Sequence, residues 1–225
     1  MCGRFSLTSN LDDLQARFDF EARDLVYGPR YNVAPTQSVL AVVNDEGNRG
    51  RNRAEMMRWG LIPFWAKDPS IGNRMINARA ETVAQKPAFR NALQKRRCLV
   101  PADGFYEWKK ELNGKTPMYI ASRSREPFAM AGLFETWKSP SGELVRSCTI
   151  ITTTPNSLME AIHNRMPVIL SKEAEATWLD LEVENSDALT PLLVPYPADA
   201  MEAYAVSTLV NSARNDFPEC LLPAG

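Results

Sequence analysis

The feature that most limits what this chain can fold into is a succession of short β-rich runs joined by turn signals, with no regular alternation of strand and helix. The runs are 39–43, 55–59, 97–100, 105–109, 117–122, 128–134 and 148–153. Leu112-Asn113-Gly114-Lys115 and Ser139-Pro140-Ser141-Gly142 fall between successive runs. Such turn chemistry between β-rich segments specifies antiparallel hairpins, whereas a parallel sheet needs a helix between each pair of strands. The expected class is therefore α+β, a mixed, mainly antiparallel sheet, curved or barrel-like, flanked by helices. Asn10 as an N-cap ahead of Leu11, Leu14 and Phe18 predicts a first helix over 11–18. Further helices are expected over 81–96, with Pro87 as a break or restart, and over 156–162, 172–181 and 187–193.

At 225 residues the chain is read as a single domain, 1–225, with an acidic segment from about 171 to 225 packed on it or extending it. A hydrophobic content of 44% with 24% charged residues excludes the disordered, collagenous and coiled-coil classes. No apolar run approaches the ~20 residues of a membrane span. Arg4, Asp12, Asp13 and Arg17 stand where a signal peptide needs an apolar stretch. An intracellular, cytoplasmic protein with no membrane partner is expected. Four scattered cysteines without a C-x-x-C pair fit reduced thiols, and with a single histidine they argue against a zinc site; no metal or cofactor is expected. The formal net charge of −1 conceals an asymmetry. Residues 71–120 hold ten Lys/Arg against four acids, and 171–225 hold two against ten. A basic face of that kind steers polyanions whatever the opposite face carries, although a charge run alone is more often solvated surface.

Chemistry is concentrated at Cys2. Removal of the initiator methionine would leave a terminal cysteine, with an α-amine of reference pKa about 7.7–8.0 and a thiol of about 8.5 on one Cα. An aldehyde meeting both can form an imine with the amine and be closed by sulfur into a five-membered thiazolidine. Position 2 of a chain is otherwise an ordinary frayed terminus.

Four further stretches set polar groups amid apolar, turn-rich sequence. They are Tyr31-Asn32-Val33-Ala34-Pro35; Arg58 to Trp65, leading to the run from Asn73 to Thr82; Cys98 to Trp108; and Ile151 to Pro155, continuing from Ile162 to Pro167. Taken singly, each residue has an ordinary role. Trp59, Trp65 and Trp108 suit a core, Asn77 and Arg79 a loop, Glu107 the wet face of a strand, and His163 the end of a helix.

In order, the blocks MCGRF, YNVAPTQ, RWGLIPFW, INARAET, CLVPADGFYEW and IHNRMPVIL resemble the SOS-response-associated peptidase (SRAP) family, whose members process abasic sites and crosslink to damaged single-stranded DNA. The resemblance runs to about Leu170. It implies a mixed α+β fold with a barrel-like core and a basic DNA channel. It also implies that Cys2, freed of Met1, is the nucleophile, its amine attacking C1′ of the ring-opened deoxyribose and its thiol closing the thiazolidine. Asn77 would hold the terminal cysteine and the sugar, Glu107 would orient the ammonium and shuttle protons, and His163 would give and take a proton. Thr152 would hydrogen-bond in the pocket. Arg4, Arg74, Arg79 and Arg165 would meet phosphates, with Phe64 and Trp65 as stacking platforms. Lys109 and Lys110 either extend the channel or are ordinary surface, and Arg90, Lys95, Arg96 and Arg97 read as a solvated face.

The implied function is DNA repair at abasic sites in single-stranded DNA by a monomer, with lyase chemistry through the imine and self-processing removal of Met1. Two rivals remain on the residues alone. One is an N-terminal-nucleophile amidohydrolase of the class II glutamine amidotransferase type, which also begins Met-Cys-Gly but does not share Arg4-Phe5 or the later blocks. The other is a non-catalytic single-strand-binding module.

Overall fold

A computed structural model of the chain describes residues 2–22, 25–44 and 51–224, so Met1 of the opening block lies outside the described residues. In chain order the elements are β1 (Phe5–Leu7), α1 (Leu11–Phe18), β2 (Phe20–Glu21), β3 (Arg30–Val33), β4 (Ser38–Asn44), β5 (Asn52–Trp59), β6 (Asn77–Arg79), α2 (Arg90–Lys95), β7 (Arg97–Ala102), β8 (Gly104–Glu111), β9 (Gly114–Ser122), β10 (Phe128–Lys138), β11 (Leu144–Thr153), α3 (Ser157–Glu160), β12 (Met166–Pro167), β13 (Ile169–Leu170), α4 (Lys172–Leu179), α5 (Ser186–Leu189) and β14 (Met201–Ala205). Both expected hairpins form, β8 to β9 with Glu111 opposite Gly114, and β10 to β11 with Lys138 opposite Leu144.

Five strands close on themselves in the order β11-β10-β7-β4-β5. The ring is completed where β5 runs parallel to β11, pairing Arg58 with Ser147 and Trp59 with Cys148. Closure leaves no free edge in the ring. All six residues of β7 and the first eight of β10 are buried. Strands so covered face the barrel interior on one side and packed helices, α2 and α4, on the other. The wall is tight enough at Gly132 that a Cβ there would lie 2.8 Å from Cys98 Sγ, so only glycine fits.

The second sheet is antiparallel, in the order β14-β9-β8-β1-β3. β1 lies inside it, with Phe5 opposite both Phe105 of β8 and Val33 of β3. The Phe5 ring also sits 5.3 Å from that of Trp59, docking this sheet on the barrel. Asp103, at the corner between β7 and β8, ties the same segment down. Its carboxylate accepts from Thr8 Oγ1 at 2.8 Å, Ser9 Oγ at 2.6 Å and Ser9 N at 3.1 Å. The residues that follow Cys2 are thus fixed by long-range pairing on both sides.

Helix α1 has the expected bounds, because Asn10 Oδ1 accepts from Asp13 N and the helix buries Leu14 and Phe18. Elsewhere sequence pattern overstates helix. Of the segment 81–96 only Arg90–Lys95 is helical; the residues before it form turns around Pro87, which lacks the N–H a helix interior needs. The expected 187–193 helix is a single α turn, Ser186–Leu189, passing into a 3-10 turn at Thr190–Leu192. Arg97 is not part of a solvated face. It is buried, and its guanidinium donates to the carbonyls of Leu93, Gln94, Trp178 and Asp180, fastening the C-terminal ends of α2 and α4 together. A cation is well placed against two sets of orphan helix carbonyls. The acidic C-terminal segment supplies α4 and α5, and then β14, which pairs with β9 along its length. No described helix is long and apolar enough to cross a membrane.

Candidate active site

The β1–β8 pairing sets the site. β1 pairs with β8 in antiparallel register, Phe5 with Phe105 and Ser6 with Gly104, and Tyr106 N donates to Arg4 O at 2.9 Å, drawing the lead-in that holds Cys2 toward the Glu107 end of β8. Cys2 is fully buried, 0% exposed. Burial pushes its thiol well above the ordinary range, and the nearby Glu107 carboxylate adds to that rise. Glu107 is itself only 4% exposed, although alternation with apolar neighbours would have turned it to water. Loss of hydration raises its carboxyl to about 7.

His163 comes to Glu107 from the other side. One turn of helix, α3, is capped by Asn156, whose side chain accepts from Met159 N, and His163 N closes the following turn on Met159 O at 2.8 Å. The His163 Nδ1 lies 3.9 Å from Glu107 Oε1. Nδ1 lies 3.1 Å from Arg165 N and 3.2 Å from Arg165 O, so it accepts from the first in one neutral tautomer and donates to the second in the other. Burial first, and then the charges of Lys110 and Arg165 among others, lower the His163 pKa below its ordinary value. Both shifts act against charge, so the ring is favoured as the neutral imidazole and the carboxyl keeps its proton to higher pH than an exposed glutamate.

An open cleft of about 510 Å³ runs over this pair, lined by Glu107, Trp108, Lys110, Lys115 and the segment from Glu160 to Asn164. Lys110 and Lys115 are directly opposite one another on β8 and β9. Neither makes an ion pair among the described residues, so the hairpin presents two unmatched like charges to the cleft.

Asn77 and Arg79 lie on β6, which runs parallel to β11, with Asn77 opposite Ile150 and Arg79 opposite Thr152. Asn77 Nδ2 donates to Ile76 O at 3.0 Å. Its buried Oδ1 has no hydrogen-bond partner among the described residues, an acceptor left for something else to fill. Arg79 shares that strand face and is exposed.

The other expected DNA contacts divide into two groups. Phe64, Trp65 and Arg74 are exposed, Trp65 at 51%, on the loop that leaves β5. That loop is set by Gly60, whose φ is +130° and where a Cβ would lie 2.6 Å from Gly72 O, so no side chain is admitted. Arg4, Thr152 and Arg165 are engaged within the fold. Arg4 Nη1 donates to Asn32 Oδ1 at 2.8 Å and to Val210 O at 2.9 Å. Arg165 holds Glu81 through two bonds of 2.5 and 3.0 Å and reaches Thr152 O at 2.5 Å. Thr152 is buried, its hydroxyl donating to Ala78 O at 3.3 Å. Its side chain positions neighbours and does not meet solvent.

Lys115 and Glu81 join the site without having stood out in the sequence. The turn Leu112-Asn113-Gly114-Lys115 held the signal for Lys115, since a two-residue hairpin there forces Lys110 and Lys115 into register. Glu81 gave no local sign, because its partner Arg165 is far along the chain. Among the described residues no group of three His, Cys, Asp or Glu side chains could hold a metal ion.

The family model described as SOS response associated peptidase (SRAP) matches residues 1–213. Abasic site processing protein YoqW of Bacillus subtilis (strain 168) is 52% identical over 224 residues, covering 98% of this chain and 99% of that protein. Abasic site processing protein HMCES of Xenopus tropicalis is 32% identical over 263 residues, covering 98% and 78% respectively. Among solved structures, a crystal structure of a protein from Bacteroides thetaiotaomicron matches with a TM-score of 0.89 and 29% identity, over 99% of this chain and 100% of that one.

Proposed function

The chain belongs to the SOS response associated peptidase (SRAP) family, and from that premise we propose that it processes abasic sites in single-stranded DNA by forming a covalent thiazolidine link through Cys2. The relatives named as abasic site processing proteins supply the substrate class. The observation that carries the chemistry is the approach of His163 to Glu107 at 3.9 Å in an open, lysine-edged cleft, with buried Cys2 near enough for the Glu107 carboxylate to raise its thiol.

The steps follow from the state of each group. Once Met1 is removed, the Cys2 α-amine attacks the C1′ aldehyde of the ring-opened sugar. Glu107, with a carboxyl near 7, takes a proton from the amine and returns one to the hydroxyl of the carbinolamine, which leaves as water. The amine leads because the buried thiol holds its proton at neutral pH. Sγ then adds to the imine carbon while the thiol proton passes to the imine nitrogen, completing the ring with one water lost overall. Neutral His163 serves the opening of the sugar, accepting a proton at the hydroxyl of C1′ while Glu107 protonates the ring oxygen. The imine also permits β-elimination, the lyase branch; sulfur closure suppresses it and shields the lesion. Asn77 Oδ1 is the free acceptor for the terminal amine or the sugar. Arg74, Arg79, Lys110 and Lys115 meet flanking phosphates, and Phe64 and Trp65 stack on bases. The same carboxyl next to Cys2 suits hydrolysis of the Met1–Cys2 bond, the peptidase step.

A denaturing gel tests the proposal. Protein incubated with an oligonucleotide bearing one abasic site is expected to give a slow covalent band. Cys2→Ala is expected to lose that band while keeping noncovalent binding. Protection of the lesion by Cys2→Ala equal to that by the wild type would mark a binding module, and glutamine hydrolysis without any crosslink would mark an amidohydrolase.

A further inference from the structure

Behind the site, the C-terminal segment from Thr208 to Cys220 is latched onto β3 and reaches Arg4, just ahead of β1, and Trp108 of β8. The latch is built on β3, the last strand of its sheet, whose outward N–H groups at Tyr31 and Asn32 meet the Asp216 carboxylate at 2.6 and 2.9 Å. Arg30 adds an ion pair to the same carboxylate. Asn32, fully buried, holds the segment a second time, donating Nδ2 to Val210 O, Ser212 O and Asn215 O at 3.2, 3.0 and 2.7 Å. The segment is further knotted on itself, because Asn215 Nδ2 donates to Leu209 O at 2.8 Å.

Two contacts run from this latched segment toward the reacting residues. Val210 O accepts from Arg4, two residues beyond Cys2, and Asn211 Oδ1 accepts from the Trp108 indole N–H at 2.7 Å, one residue beyond Glu107. Arg4 lies 5.7 Å over the Trp108 ring, so the two contacts share one stack. Asp216, the main latch, lies outside the stretch that the family model matches.

We infer that residues 208–220 form a strap that sets the position of Cys2 relative to Glu107, with Asn211 and Asp216 as positioning residues. The inference rests on the covalent chemistry proposed above. A strap of this kind acts on rate, because near-attack geometry is sensitive to shifts of about 1 Å while DNA affinity resides in the exposed basic and aromatic groups.

The test compares single-turnover adduct formation on an abasic oligonucleotide with noncovalent binding to an intact oligonucleotide of the same length. Asn211→Ala is expected to slow adduct formation about tenfold or more with binding within about twofold. Asn211→Asp, which keeps an acceptor for the indole, is expected to restore the rate. Trp108→Phe removes the donor and is expected to match Asn211→Ala, with no further slowing in the double variant. It serves as the independent probe should Asn211→Ala fold poorly. Wild-type rates in both Asn211→Ala and Trp108→Phe, or rate and binding falling together, would overturn the strap. A wild-type protein that forms no adduct would defeat the covalent chemistry itself, and the two failures are thereby distinguished.

Discussion

Glu107 is held in the folded protein at a cost, and that cost is measurable apart from any reaction. Burial displaces its carboxyl from an ordinary value near 4.5 to about 7, a charging penalty on the order of 3 kcal/mol. Below the unfolded pKa, both states are protonated and no penalty exists. Between about 4.5 and 7 the folded chain keeps a proton that the unfolded chain releases, so stability falls as pH rises, and above 7 the full penalty is present. Glu107→Gln is therefore expected to raise the melting temperature at pH 8 and to change it little at pH 4.5, while slowing adduct formation more than it weakens DNA binding. An unchanged or lower melting temperature at pH 8 would contradict a strained carboxyl. Nothing near Glu107 in sequence announces this. The run 105–109 alternates as a half-wet strand should, and the neighbours that Glu107 meets, Cys2 and His163, are far from it in the chain.

At the scale of elements, the β8–β9 hairpin carries a prediction of its own. Lys110 and Lys115 face each other across it, neither in an ion pair among the described residues, an arrangement that favours a phosphodiester between them. Replacing both by alanine is expected to lower the slope of log binding against log salt by about 0.7 for each phosphate that a lysine no longer neutralises. An unchanged slope would return both lysines to ordinary surface. The long strands and both hairpins were legible because periodicity and turn residues are local signals. The two- and three-residue strands β1, β6 and β12 were not, since only their partners define them. The stretch around Pro87 imitates a helix for a similar reason: Ala84, Ala88, Ala92 and Leu93 pack inward at helical spacing, yet 82–89 packs as turns. Arg97 misleads as well, because a charge run gives no sign that carbonyls from two helix ends converge on one of its members.

The whole molecule gathers the candidate site residues where two sheets meet. The lead-in to β1 contributes Cys2 and β8 contributes Glu107, the barrel wall at β6 and β11 contributes Asn77, Arg79 and the Arg165 anchorage, and the link from α3 to β12 brings His163. These candidate residues were singled out by ordered motifs. Their convergence was not, because it depends on the pairing of β1 with β8 and on a C-terminal strap no motif marks. On the proposed chemistry the precursor residue matters. With Met1 in place the Cys2 nitrogen is an amide, and the only nucleophile left is a buried, protonated thiol. The most direct measurement is therefore intact and peptide-level mass spectrometry of the purified protein after incubation with a single-stranded oligonucleotide bearing one abasic site. The expected product lacks Met1 and carries the oligonucleotide on Cys2, with one water lost. An adduct on any other residue, an adduct formed with Met1 retained, or no adduct at all would contradict it.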